Sequence, residues 1–492
     1  MWWKILLGII LILGLALAWA LSRVDITLGI ILHSVLGAGG GTPDDNTLQS
    51  RLAAPPGFSV GLYAADIQNA RFIEFSEKGD LLVSQPRESR VSIVRRDANG
   101  DGIGDGTRVL IDNLNRPHGI DFHNGYLYIA ESNAVGRVPF NHETGELTGD
   151  YEHIITGLGD EGNHWTKSLR FGPDGLLYLS SGSTCNVCTE EDPQRATITR
   201  YQPDGSGEER FATGLRNSVG FDWAPFDNQL YATDNGRDLL GDDYPPCELN
   251  RVELGQFYGW PHVNGFDDPD PDLPDPEMAA FAVPPVHGFR AHNAPLGIRF
   301  IKGESLPADY RGAAIVALHG SWNRNTYDGY KAVSLHWRGD EIEERDFLIG
   351  FENDGDIIGR PVDAAEGPDG CVYISDDYGM AIYRVCHGIE QQTTGISSAA
   401  APTRTGLEHL DAESLAALAA KGEQLFQTRG CIACHVAGEQ AMFGKKPINN
   451  LAARYNVDSL RAFYQSPTPP MPPVRMGSEA EYDALTAYLL SL

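Results

Sequence analysis

The hydrophobic pattern of this chain falls into three regimes. Residues 5–21 (ILLGIILILGLALAWAL) form an uninterrupted apolar run between Lys4 and Arg23. A run of this length suits a membrane span and exceeds most signal-peptide cores, whereas Ala18-Trp19-Ala20 has the small-residue form of a cleavage site. The expectation for residues 1–22 is an N-terminal membrane anchor, with a removed signal peptide as the alternative. Either one exports the rest of the chain. Residues 23–50 hold a second apolar stretch and then GAGGGTPDD, and read as a flexible lead-in.

From 51 to 388 the period is that of strands. A short apolar strand, a Gly/Asp/Asn turn and a β-rich strand recur as FSEKGDLLVS, IDFHNGYLYIA, LRFGPDGLLYLSS, FDWAPFDNQLYAT, the diverged IRF…YRGAAIVAL, and AAEGPDGCVYIS. The turn residues supply the positive φ or Asx geometry of tight hairpins. Six such units predict an all-β six-bladed propeller, one unit per blade, with a β-sandwich as runner-up. Residues 389–408 are rich in Ser, Thr and Ala and read as a linker. Helical periodicity then takes over, and 409–492 is expected to be a small all-α domain. Asp411 is placed to cap a helix bearing Leu415, Leu418, Leu425 and Phe426. Ser478 and Glu481 have the spacing of a capping box ahead of Tyr482, Leu485, Tyr488 and Leu489.

Charge narrows the class of partner. The formal net charge of −29 argues against nucleic-acid binding, which needs Lys/Arg stripes for phosphate contact, so no nucleic-acid partner is expected. Almost all of the acidity precedes residue 409, since the helical segment is close to neutral.

Cysteine adds chemistry. Cys431-Ile-Ala-Cys434-His435 has the spacing for covalent c-type haem: two thiols for thioether bonds and an adjacent imidazole for the iron. A CxxC disulfide or a zinc half-site is the competing reading, but no second Cys/His pair in 409–492 completes a zinc shell. The flanking order is a helix ending QLFQTRG, a short helix near 457–464, a Pro-rich loop with Met, and a last amphipathic helix. It resembles class I cytochrome c throughout that segment. The resemblance implies a Met sixth ligand, Met471 in PPMPP, with Met476 as rival. Cys371 and Cys386 flank Tyr378-Gly379 symmetrically and would face each other across a hairpin. Cys185 and Cys188 are spaced for a local bridge, which leaves Cys247 odd.

Seven segments in order resemble the L-sorbosone dehydrogenase family, relatives of the soluble quinoprotein glucose dehydrogenases that use pyrroloquinoline quinone (PQQ). They are LNRPHGIDF, GNHWTKSLRFGPDGLLYLSSGSTCNVC, ATGLRNSVGFDWAP, DNGRDLLGDDYPPCELN, QFYGWP, LHGSWNR and GRPVDAAEGPDG. The resemblance implies that His164 is the base taking the substrate hydroxyl proton. Ser183 falls where the glucose enzymes place an Asp that orients this His. It implies that Arg216, Asn217, Arg324 and Arg360 meet the quinone and its carboxylates, for which the guanidinium fork is suited. A catalytic calcium would be held partly by backbone carbonyls of Gly236 and Arg237. Separately, Asp97-Ala-Asn99-Gly-Asp101-Gly102 resembles the first half of an EF-hand-type loop, with Asp105 nearby. It is expected to hold a structural calcium, against the plainer reading of a polar hairpin tip.

The expectation is therefore a dehydrogenase anchored on the periplasmic face of a bacterial inner membrane, or periplasmic or secreted if the leader is cleaved. Its cofactors would be PQQ, calcium and haem c. It would oxidise a sugar or a sugar-derived alcohol or aldehyde and pass electrons to its own haem, then to a cytochrome or quinone-linked oxidase. A calcium-dependent lactone hydrolase and a non-catalytic propeller presenting a cytochrome are the alternatives.

Overall fold

The computed structural model describes residues 40–339, 341–388, 412–433, 435–437, 446–448 and 474–492, and positions 451, 457, 460, 461 and 464. The anchor or signal segment 1–22, most of the lead-in, the linker 389–408, Asp411, Cys434 and Met471 lie outside them. Among the described residues no helix is long and apolar enough to cross a membrane. The chain divides into two compact units, 1–393 and 394–492.

Each of the six recurring units forms the first hairpin of one sheet. The pairs are Ile73–Phe75 with Leu81–Gln85, Ile120–His123 with Tyr126–Ala130, and Lys167–Phe171 with Leu177–Ser181. Phe221–Trp223 with Leu230–Asp234, Pro295–Phe300 with Ala314–Leu318, and Pro361–Glu366 with Val372–Asp376 make up the other three. Two further antiparallel strands complete each blade. The turns are built as their residues require: Asn124 and Gly125 both take positive φ, 48° and 80°, the conformation that twists a two-residue hairpin correctly.

The ring is closed from its beginning. Phe58–Ala64 pairs antiparallel with Ala381–His387, so the outermost strand of the sixth blade comes from the start of the propeller sequence. The Cys371–Cys386 disulfide lies in this blade, joining the start of its second strand to its third. Part of the expected lead-in is ordered against it. Asp44 caps the helix Asp45–Arg51 by accepting from the Thr47 amide at 2.7 Å, Leu48 is buried, and Arg51 pairs with Asp356 at 2.7 Å. A capped turn with one apolar anchor and one ion pair is enough to dock residues whose composition suggested a free tether.

The blades are joined at their inner edges by charge. Glu74, Asp121, Arg170, Asp222, Arg299 and Asp363 stand one on each innermost strand. Arg170 and Arg299 both reach Glu74, at 3.1 and 2.8 Å, linking blades that are not neighbours, so these side chains meet at the axis. Asp121, Asp222 and Asp363 each accept the backbone N–H of the next blade's strand: Phe171 at 2.8 Å, Phe300 at 2.9 Å and Ile73 at 3.1 Å. Burial and the nearby Glu74 push Asp121 up to about 6.

The C-terminal unit is built on two helices, Ala412–Thr428 and Glu479–Leu490, around Phe426, Leu460, Tyr464, Leu485 and Leu489. Gly422 lets them touch, because a Cβ there would lie 2.0 Å from the Ala484 carbonyl oxygen. Two expectations are corrected here. The unit is not purely α, since His435–Ala437 and Lys446–Ile448 form a short parallel ladder. The capping box is not made either: Ser478 is the N-cap but its side chain makes no cap bond. The Glu481 carboxylate instead accepts from Gly477 N at 2.9 Å and pairs with Arg429 at 2.8 Å, which competes for it.

Candidate functional site

In a four-stranded antiparallel blade, the loops entering the first strand and those joining the second to the third lie at one end. That alternation gathers distant residues onto one face. Into first strands lead Arg71, His118, His164, Arg216-Asn217, His292 and Arg360. Between second and third strands lie Ser183–Asn186, Gly236–Pro246, Arg324 and Asp377. The tight hairpins that reveal the repeat are at the other end. So is the Asp97–Asp105 loop, which joins the third and fourth strands of the first blade. Its Asp97 oxygens accept from Gly100, Asp101 and Gly102, and Asp105 accepts from Ala98. Asp97, Asp101 and Asp105 do not converge into a three-ligand group, so the described geometry is that of a self-capped turn.

His164 lies on the opposite face. Its Nδ1 is 2.8 Å from Ser183 Oγ, and that hydroxyl donates to the Cys185 carbonyl at 2.7 Å. A hydroxyl has one proton. With that proton given to a carbonyl, Ser183 accepts from His164, so Nδ1 carries the hydrogen and Nε2 keeps its lone pair. Ser183 thus orients the imidazole as a carboxylate would, without a negative charge to stabilise the imidazolium. Burial, with Arg216 and Arg195 nearby, pushes His164 down to about 3. Gly182 makes the packing possible, since a Cβ there would lie 2.6 Å from His164 Cβ and 2.7 Å from Asn217 Oδ1. Buried Arg195 holds the loop from beneath, donating to the carbonyls of Gly182, His164 and Ser183 at 2.6, 3.0 and 3.1 Å.

The four arginines differ in a way their sequence positions did not show. Arg216 is buried and already neutralised: it pairs with Asp238 at 2.9 Å and donates to Asn186 and Asn235. Arg237 is pinned by Asp270 and Asp272, so its guanidinium anchors its own loop. Arg324 ties that loop to its neighbour through the Asp242 carbonyl and through Asp243 at 3.1 Å. Arg360 has no carboxylate partner among the described residues. It donates to the carbonyls of His319 and Gly320, at 3.2 and 3.1 Å, and lies over the Tyr330 ring. The Asn217 side chain is half-buried and forms no hydrogen bond among the described residues. Arg360 and Asn217 are thus the donors left for an anionic, carbonyl-bearing guest.

Sequence reasoning missed several residues here. Arg71 pairs with Asp377 at 2.9 Å across the ring closure. His118 is buried against Phe72, and its Nδ1 is 3.2 Å from Ser168 Oγ. His319, pushed down to about 3 by burial and Arg360, bonds the Pro361 carbonyl. Their position just ahead of a first strand, or just after a second, was the available signal. Beside Gly236, the carboxylates of Asp234 and Glu248 line a cavity of about 20 Å³ together with Asn235 and Asn264. The side-chain oxygens of that lining suit a hard cation, and the two arginines that also line it, Arg216 and Arg237, are ion-paired with Asp238 and with Asp270 and Asp272.

In the second unit, Cys431 is half-buried and forms no disulfide, and Ile432 beside it is 42% exposed. Met476, the rival ligand, packs against the helical core.

A ring of six blades with a histidine-bearing polar face, joined to a CxxCH helical domain, defines a class. The TrAA12-like family model matches residues 52–249 and 267–383, and the chain belongs to that family. A cytochrome c model matches 419–492. An uncharacterized protein of Borreliella burgdorferi is 30% identical over 356 residues, which is 69% of this chain and 91% of that protein. The pyrroloquinoline quinone-dependent pyranose dehydrogenase of Coprinopsis cinerea is 27% identical over 328 residues, covering 56% of this chain and 44% of that protein. Among solved structures, the calcium structure of the Trichoderma reesei family AA12 carbohydrate-active enzyme has a TM-score of 0.60. It is 20% identical and covers 68% of this chain and 97% of that one, which shows the shared propeller fold.

Proposed function

We propose that this protein is a quinohaemoprotein dehydrogenase that oxidises a hydroxyl of a sugar or sugar-derived alcohol or aldehyde. The carrying observation is His164, an imidazole locked by Ser183 in the tautomer that leaves Nε2 free to take a proton. The relative that is named for PQQ and pyranose oxidation supports the cofactor and substrate class. PQQ fits the donors present: Arg360, which is ion-paired with no described carboxylate, and the Asn217 amide would hold it. Calcium fits the oxygen atoms around Gly236, and the calcium structure of the Trichoderma neighbour supports it. When bound, the quinone supplies a two-electron acceptor and the haem a one-electron carrier.

The chain's own residues do the rest. His164 Nε2 accepts the hydroxyl proton as the C–H bond beside it gives up hydride. Ser183 keeps the ring from rotating during that transfer, and Arg195 holds the His164 backbone in place. Cys431 and Cys434 would hold the haem by thioether bonds, with His435 and Met471 on its iron. Two transfers to the haem are needed per substrate, and a respiratory cytochrome or quinone-linked oxidase is the proposed acceptor. The N-terminal apolar segment would keep the protein at the periplasmic face of an inner membrane, or release it there after cleavage.

The test is reconstitution. Purified protein supplied with PQQ and Ca²⁺ is offered a panel of aldoses, alcohols and lactones with an artificial redox dye. Dye reduction by an aldose or alcohol is expected. Lactone hydrolysis without any dye reduction would overturn the reading in favour of a hydrolase.

A further inference from the structure

The turn that carries Ser183 is closed on itself by a disulfide between Cys185 and Cys188. The residues within this bridge hold both sides of the site. The Cys185 carbonyl takes the Ser183 proton and so decides which way the hydroxyl faces His164. Asn186 lies between the two cysteines. Its backbone carbonyl accepts from Arg216 Nε at 2.9 Å and from Trp260 Nε1 at 3.3 Å. Its Oδ1 accepts from Arg216 Nη2 and from Asp238 N, both at 2.8 Å, and its Nδ2 donates to the Asp238 carbonyl at 3.1 Å. One short bridge therefore fixes the base's orienting hydroxyl, the buried arginine and the start of the Gly236–Pro246 loop.

The two disulfides of the propeller differ in access. Cys371 and Cys386 are 1% and 0% exposed, inside the core of the sixth blade. Cys185 and Cys188 are half-buried in a loop of the site face. A dithiol reductant meets the second pair long before the first. The consequence of opening it is local, because so short a loop constrains the unfolded chain less than the bridge between Cys371 and Cys386 does.

We propose that the Cys185–Cys188 disulfide and Asn186 are positioning elements of the dehydrogenase site, and that the bridge makes turnover sensitive to dithiol. A dithiol transfers two electrons and two protons, leaves as its own cyclic disulfide, and leaves Cys185 and Cys188 as thiols. The Cys185 carbonyl is then free to turn, Ser183 Oγ can donate to His164 Nδ1 instead of accepting from it, and the imidazole loses its fixed tautomer. Arg216 loses the rigid carbonyl that holds its Nε.

This rests on the dehydrogenase reading, so the oxidised wild type is assayed first. If it oxidises no sugar with dye, that reading fails and this one is not reached. With activity in hand, the PQQ- and Ca²⁺-loaded full chain is treated with dithiol, desalted and mapped by mass spectrometry to confirm that only Cys185–Cys188 is open. Cys185→Ser/Cys188→Ser is measured beside it. We expect kcat to fall about tenfold or more with KM nearly unchanged, as for small misplacements at a reacting centre. The acid limb of its pH profile should shift, the melting temperature should stay close to wild type, and reoxidation of the two freed thiols should restore kcat. Asn186→Ala, which keeps the bridge, should lower kcat as well. Unchanged kcat and pH profile in protein shown to have the bridge open would overturn the proposal. Loss of kcat only in parallel with loss of the folded propeller would also overturn it.

Discussion

His164 Nδ1 faces Ser183 Oγ at 2.8 Å, where a carboxylate would hold the imidazole with opposite charge. The hydroxyl sets the tautomer but does nothing for the protonated form, and His164 stays down at about 3. The proposed base is therefore neutral throughout the working range. The acid limb of kcat/KM is expected well below the usual imidazole value of about 6.5. Ser183→Asp adds a negative partner, raises the His164 pKa and moves that limb to higher pH, as pH–rate profiles of the two proteins will show.

The arginines should separate by function. Arg360→Ala removes a cation that is ion-paired with no described carboxylate, so PQQ affinity should fall about tenfold or more with little effect on melting. Arg216→Ala instead leaves Asp238 with only the Asn323 amide and removes four hydrogen bonds, and should destabilise the propeller by about 2 kcal/mol or more. Quinone titration and thermal denaturation of both variants distinguish these outcomes.

The axial charges predict a pH signature for stability. Asp121 binds its proton more tightly folded than unfolded, about 6 against an ordinary 3.8. Its contribution to stability is thus full below the ordinary value and is lost as pH rises through about 6. Asp121→Asn removes that loss. The stability of the variant relative to wild type should rise between about pH 4 and pH 7, measured by denaturant unfolding at a series of pH values.

For the haem, Met471→Ala should abolish the long-wavelength Met-to-iron charge-transfer band. Met476→Ala should keep the band and lower the stability of the helical unit by about 1 kcal/mol or more, since that side chain packs against its core. The reverse result would exchange the two roles.

The blades were legible because each is announced by a local signal. A turn such as His123-Asn124-Gly125 fixes its own hairpin, and alternation in the flanking strands fixes its faces. The closing strand Phe58–Ala64 was not, because its partner is Ala381–His387 and nothing near residue 58 records that pairing. The same holds at the site. His164 was legible through its neighbours in sequence, but the loss of Arg216 to Asp238 and Asn186 depends on loops from two blades meeting. Arg71 and Asp377 meet only when the ring closes. Residue type and position identified the chemistry on offer, and only the fold shows which charges are already spent on one another.

Under the proposed function, a base-assisted oxidation at the propeller feeds the haem of the same chain. Rapid mixing of the PQQ- and Ca²⁺-loaded protein with an aldose that it oxidises tests this directly, with haem reduction followed optically. Haem reduction should trail substrate oxidation, with two electrons recovered per sugar consumed. His164→Ala should slow it about a hundredfold or more while still binding PQQ. Equal rates in wild type and His164→Ala, or sugar oxidation that never reduces the haem, would contradict the account.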